Sequence, residues 1–111
     1  MSHDPAAAAA LAPLFGALGD PTRLAIVARL GGGADLSITA LARGTDMTRQ
    51  AVTKHLRVLE DAAIIGRRKA GREVRYSLRP DRLTEAQRFL DAVGAEWDAA
   101  LVRLADHVEG G

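Results

Sequence analysis

Two short helical segments joined by a glycine-containing turn constrain the fold of this chain more than any other feature. Ser37 is a natural N-cap for the first helix, which ends at Gly44, and Thr48 caps a second helix that runs to about Ala62. The apolar residues of both segments recur at helical spacing: Ile38, Leu41, Ala42, Val52, Leu56 and Leu59. Helices of this length and separation predict a helix-turn-helix.

The flanking sequence predicts three further helices. Residues 5–18 can form one, and Asp20 caps a second that residues 31–33, a run of three glycines, bring to an end. Beyond Pro80 a long helix runs to about Val108.

The apolar period changes after the helix-turn-helix. Ile64 and Ile65 open a strand, and residues 73–78 alternate apolar and polar side chains in a second strand. Between the strands, residues 69–72 predict a tight hairpin turn with Gly71 available for positive φ. The expected fold is therefore mainly α with a small β-hairpin, a winged helix-turn-helix.

Composition excludes several classes of protein. The 111 residues suit one domain over 1–111, with residues 1–10 expected to be mobile or frayed. The chain has no Cys, no glycine-rich phosphate loop and no plausible catalytic triad, so we expect neither an enzyme nor a bound cofactor. It also has no apolar run near the ~20 residues that span a bilayer and no cationic signal segment, which makes a cytoplasmic location the default expectation.

The positive charge is concentrated in one third of the chain. Residues 1–47 carry a net charge of −1 (3 cations, 4 anions), residues 48–82 carry +6 (10 cations, 4 anions) and residues 83–111 carry −4 (2 cations, 6 anions). This asymmetry indicates a surface that faces a polyanion, although a solvated cationic face is the alternative.

The polar side of the second helix fits the major groove of DNA. Gln can pair with adenine, Arg or Lys with guanine, and Thr can contact the thymine methyl group. We call this set the recognition face: Thr48, Arg49, Gln50, Thr53, Lys54 and Arg57. The hairpin adds a second set, the wing cations, which can contact phosphates: Arg67, Arg68, Lys69, Arg72 and Arg75.

The long helix, over residues 81–108, has an apolar seam. Leu83, Leu90, Trp97 and Leu104 are spaced seven apart, which suits a helix–helix contact along most of its length. We expect it to pair with a second copy of the chain; the alternative is that it folds back over its own domain. The residues expected at the dimer interface are Leu11, Phe15, Leu83, Leu90, Val93, Trp97, Leu101 and Leu104.

Three segments together resemble the ArsR/SmtB family of bacterial winged helix-turn-helix regulators: ALGDPTRLAIVARL, TRQAVTKHLRVLEDAAII and GREVRYSL. The resemblance extends over residues 14–108. It implies a homodimeric transcriptional repressor, dimerised through its terminal helices, that leaves a roughly palindromic operator when an effector binds or conditions change. It also implies that the recognition face and the wing cations contact double-stranded DNA.

The chain departs from the family at its metal sites. Where metal-sensing members have a Cys-x-Cys pair, this chain has Ser37 and Thr39, which are poor ligands for soft metals. Other members bind zinc between the long helices through two His-containing motifs, and here only His107 is present. We therefore expect no metal at the known family sites. His55 is expected to pack or to face phosphate rather than to bind a ligand.

Two other functions are also compatible with the sequence. A winged-helix module for protein contacts has the same fold, but it should have an apolar patch on the exposed helix, where this chain has a carboxylate-poor polar face. The same DNA contacts would also serve an activator rather than a repressor.

Overall fold

The computed structural model describes residues 5–110, with side chains up to residue 108. Residues 1–4, which include His3 and part of the segment expected to be mobile, lie outside the described residues, whereas residues 5–10 belong to the first helix. The elements are α1 (Pro5–Leu18), α2 (Pro21–Leu30), a 3₁₀ turn (Gly31–Gly33), β1 (Leu36–Ser37), α3 (Ile38–Ala42), α4 (Arg49–Asp61), β2 (Ile65–Ala70), β3 (Glu73–Leu78) and α5 (Pro80–Gly110).

Side-chain caps begin three of the helices where the sequence predicts them. A side-chain oxygen accepts a hydrogen bond from a backbone N–H three residues later: Asp20 from Arg23 at 3.0 Å, Ser37 from Ala40 at 3.1 Å, and Thr48 from Ala51 at 3.1 Å. Each bond satisfies a donor that has no partner inside its helix. The predicted helix-turn-helix is thereby confirmed as α3 and α4.

The sheet is larger than the predicted hairpin. It has three antiparallel strands in the order β1-β3-β2, because Leu36 and Ser37 pair with Tyr76 and Arg75. A two-residue strand is too short to have a period of its own, so the sequence pattern does not predict it. The turn is also tighter than predicted: Gly71 (φ 63°) and the residue after it form the loop, while residues 69 and 70 belong to β2.

The core lies where α1, α2, α3 and α4 meet the sheet. The side chains of Leu14, Leu30, Leu56, Leu59 and Ile64 are fully buried. Val52 and Leu56 fix one side of α4 in this core, so the opposite side must face outwards. No helix of the described residues is long and apolar enough to cross a membrane.

The last helix, α5, extends away from the rest of the chain. It has 31 residues, or about 46 Å at ~1.5 Å per residue, and the molecule measures 67 × 27 × 22 Å. Its first half packs on α1, with Ala86 buried and the rings of Phe15 and Phe89 6.1 Å apart. From Leu90 to residue 108 no side chain is fully buried.

Candidate nucleic-acid interface

The recognition face lies on the exposed side of α4. Five of its six residues are exposed and Thr53 is half-buried. With Ile38 of α3, five members line a shallow depression of about 320 Å³: Arg49, Gln50, Thr53, Lys54 and Arg57. The structure thus brings together the side chains that the sequence places on one helical surface.

The two threonines of this face have local partners. The Thr48 hydroxyl accepts the capping hydrogen bond, and the Thr53 hydroxyl donates to the backbone oxygen of Arg49 at 2.8 Å. The other four members, Arg49, Gln50, Lys54 and Arg57, make no side-chain hydrogen bond or ion pair within the described part of the chain. Three cations and one amide are therefore available to an external partner.

The N-terminus of α2 supports α4 from behind. His55 is half-buried, with its Nδ1 3.9 Å from Asp20 Oδ2 and 3.5 Å from an Arg23 guanidinium nitrogen. Arg23 also donates from Nε to the backbone oxygen of Ala17 at 2.7 Å. The backbone N–H of Arg23 lowers the pKa of the Asp20 carboxyl, which favours the charged cap. His55 therefore faces the α1–α2 junction.

A second arginine fixes the short helix α3. Arg29 donates from its two terminal nitrogens to the backbone oxygens of Leu41 at 2.8 Å and Ala40 at 2.9 Å. These carbonyl groups are at the C-terminal end of α3, where they have no partner within the helix. Arg29 thus caps the C-terminal end of α3 from α2.

Three of the five wing cations are paired with carboxylates. Arg67 Nε lies 3.2 Å from Glu60 at the end of α4. Arg68 and Arg75 both bind Asp35, and Arg75 also lies 3.1 Å from Glu73. Lys69 and Arg72, at the tip of the hairpin, are exposed and make no ion pair within the described residues.

Asp35 was missed by sequence reasoning. It precedes Arg68 by 33 residues and Arg75 by 40, so no local spacing relates it to the hairpin. Only the pairing of β1 with β3 brings the carboxylate to the arginines. The Arg68 guanidinium beside Asp35 lowers the pKa of that carboxyl, so the ion pair is charged at neutral pH.

The residues expected at a dimer interface fall into two groups. Leu11 is buried in the core, and Phe15, Leu83 and Val93 are half-buried on the single chain. The remaining four, which lie further along α5, are exposed by half or more of their surface: Leu90, Trp97, Leu101 and Leu104. The chain does not fold back to cover them, which leaves this stretch of α5 uncovered by the described residues.

Comparisons with known proteins agree with this geometry. A family described as "Helix-turn-helix domain" matches residues 18–67. The HTH-type transcriptional regulator Rv2034 of Mycobacterium tuberculosis is 39% identical over 93 residues, which cover 84% of this chain and 83% of that protein.

Solved structures extend the similarity to the whole fold. An ArsR-like transcriptional regulator from Rhodococcus sp. RHA1 matches with a TM-score of 0.75 and 39% identity, covering 90% of this chain and 92% of that chain. A crystal structure of an ArsR family transcriptional regulator, RHA00566, matches with a TM-score of 0.73 and 31% identity, covering 88% and 97%.

Proposed function

Since the chain belongs to the ArsR family of helix-turn-helix transcriptional regulators, we propose that it is a homodimeric repressor of a roughly palindromic operator. Members of this family are DNA-binding regulators and not enzymes. The observation that carries the proposal is the recognition face, where four polar side chains with no partner among the described residues project from a helix whose other side is buried in the core.

The recognition face has the chemistry of sequence reading. Gln50 can donate and accept at the adenine edge, whereas Arg49 and Lys54 can donate to guanine O6 and N7. The only exposed large apolar residue on α4 is Val58, so within the described residues this helix lacks the apolar patch of a module for protein contacts. DNA contact is therefore the better use of this surface.

The wing and α5 supply affinity and symmetry. Lys69 and Arg72 at the hairpin tip can contact phosphates beside the groove that α4 enters. Two copies joined along α5 would present two α4 helices to half-sites about one DNA turn, ~34 Å, apart. The exposed seam from Leu90 to Leu104 supports this pairing.

The first experiment is fluorescence anisotropy with DNA from upstream of the protein's own gene and with a scrambled duplex of equal length. At about 0.15 M salt, where nonspecific binding is weak at ~10⁻⁴–10⁻⁶ M, we expect a preference of roughly a thousandfold or more. Lower transcription in vitro from the bound promoter would support a repressor, and higher transcription an activator. Equal binding to both duplexes would count against specific recognition at that locus. A genome-wide selection of bound fragments would then be needed to find the operator.

A matched pair of lysines separates base contacts from phosphate contacts. We expect Lys54→Ala to cost ~1–3 kcal/mol of preference for the operator, because a bidentate base contact is lost. Lys69→Ala removes the same charge from the wing and should weaken both duplexes equally. Gln50→Ala should behave as Lys54→Ala does. Equal losses on both duplexes for Lys54→Ala and Gln50→Ala would contradict their assignment to bases.

A further inference from the structure

Asp35 lies between two arginines that would otherwise repel each other. Arg68 and Arg75 are direct cross-strand partners of β2 and β3, so their side chains emerge on the same face of the sheet. The Asp35 carboxylate, from the loop that precedes β1, forms an ion pair with both arginines. Like charges directly opposite each other destabilise a sheet, and one carboxylate between them offsets part of that repulsion.

The carboxylate occupies much of the donor capacity of both guanidinium groups. Arg68 donates to Asp35 Oδ2 from Nε at 3.0 Å and also from Nη2. Arg75 donates from Nε to Oδ1 at 3.3 Å and from Nη2 to the Asp35 backbone oxygen at 2.6 Å, while its Nη1 binds Glu73 at 3.1 Å. Asp35 is largely covered in this arrangement, with 28% of its side chain exposed.

A phosphate oxygen would have to compete for the same N–H donors. Lys69 and Arg72 face no such competition, since neither has an ion-pair partner among the described residues. The wing therefore has two kinds of cation, one held by protein carboxylates and one available at the tip. Both kinds contribute equally to the net charge of the wing. Only the second kind, however, can bind a phosphate and release counterions from DNA without breaking an ion pair within the protein.

We propose that Asp35 is a positioning residue that holds Arg68 and Arg75 away from DNA phosphates and so limits the sequence-independent affinity of the wing. The inference rests on the proposed DNA-binding function, in which phosphate contacts supply nonspecific affinity and α4 supplies the reading of bases. As a consequence, the nonspecific affinity for DNA is lower than the ten cations between residues 48 and 82 would otherwise give.

The test measures how affinity for the scrambled duplex depends on salt concentration. Asp35→Asn keeps the shape of the side chain and one acceptor oxygen but removes the charge that holds the arginines. We expect its plot of log affinity against log salt to be steeper by about one to two units, because each phosphate newly contacted adds ~0.9. Over a fourfold change in salt, this is an additional change in affinity of about 3.5- to 12-fold.

Two further variants distinguish released arginines from a general change in charge. Asp46→Asn removes one negative charge from the exposed turn before α4, where Asp46 has no ion pair within the described residues, and it should leave the slope unchanged. The pair Arg68→Gln/Arg75→Gln should not change the slope when Asp35 is present. The same pair should abolish the increase when it is combined with Asp35→Asn.

The outcomes separate the inference from the function. An unchanged slope for Asp35→Asn would overturn the inference, and so would a lower slope for Arg68→Gln/Arg75→Gln with Asp35 intact. Thermal unfolding of each variant shows whether the fold is retained. If the arginine variants unfold, the slope measured for Asp35→Asn alone tests the inference. Wild-type protein that binds neither the upstream DNA nor the scrambled duplex would overturn the proposed function together with the inference.

Discussion

At the scale of single residues, Asp20 couples the start of α2 to pH. Its carboxylate accepts the hydrogen bond from the backbone N–H of Arg23, which lowers its pKa from the ordinary value of 3.8. The unfolded chain lacks this hydrogen bond, so as the pH falls the unfolded state takes up the proton before the folded state does. The stabilisation is therefore complete above 3.8 and is lost as the pH falls through the lowered pKa of the folded protein.

We expect the free energy of unfolding of Asp20→Asn to depend less on pH in the acid range than that of wild type. Asn caps a helix about as well as Asp but cannot titrate, so the advantage of wild type at pH 7 should shrink as the pH falls below 3.8. Urea unfolding at pH 7 and at pH 3 measures the two differences in free energy. Asp98→Asn, at an exposed position on α5, controls for the loss of one negative charge. A difference between wild type and Asp20→Asn that is the same at both pH values would contradict this linkage.

At the scale of elements, α3 depends on contacts from outside itself. Its five residues are far fewer than the ~12–15 that an isolated helix needs in water. Ser37 satisfies its first turn, Arg29 satisfies its last carbonyl groups, and Leu41 anchors it in the core. Because α3 positions the turn that leads into α4, these contacts also determine where the recognition face lies.

We expect Arg29→Gln to reduce the free energy of unfolding by about 1 kcal/mol. Two charge-assisted hydrogen bonds to α3 are lost, and their value is reduced because Arg29 is exposed and the freed carbonyl groups can bind water. Arg43→Gln makes the same change at an exposed arginine just after α3 and should be neutral within about 0.5 kcal/mol. Chemical denaturation measures both. Equal stabilities for the two variants would show that Arg29 does not support α3.

Local signals account for the elements that the sequence predicts, and distant contacts account for those it does not. A cap and its partner are three residues apart, so Asp20, Ser37 and Thr48 mark the helix starts in the sequence itself. Strand β1 exists only because β3 pairs with it, some 40 residues further on. The positive charge of the wing is likewise visible in the sequence. Which of its cations are paired with Asp35, however, depends on the pairing of β1 with β3.

At the scale of the whole molecule, α5 exposes an apolar stripe that the described residues of the single chain leave uncovered. Leu90, Trp97 and Leu104 lie one heptad apart and are 53%, 64% and 59% exposed. Contiguous exposed apolar patches are uncommon on soluble monomers and mark interaction surfaces. Gly94 lies in the same stretch, and a Cβ there would meet no atom of the described residues within 4 Å. None of these residues therefore requires a glycine, which costs about 1 kcal/mol in a helix. A partner helix that approaches closely would explain both features.

We expect Leu90→Gln combined with Trp97→Gln to convert a dimer into a monomer. Both side chains are exposed on the single chain, so the fold should be retained and circular dichroism should be unchanged. Sedimentation velocity at micromolar concentration measures the oligomeric state. Val102→Gln is the matched control, because Val102 is 61% exposed on the same helix but lies five residues from Trp97, away from the seam.

Operator binding supplies the second readout of the same variants. A monomer presents one α4 helix and can occupy one half-site, so the dissociated variant should lose most of its preference for a palindromic duplex while the Val102→Gln control retains it. A double variant that still sediments as a dimer would place the interface elsewhere. A control that dissociates as readily would mean that α5 pairs through the face that carries Val102 and not through this seam.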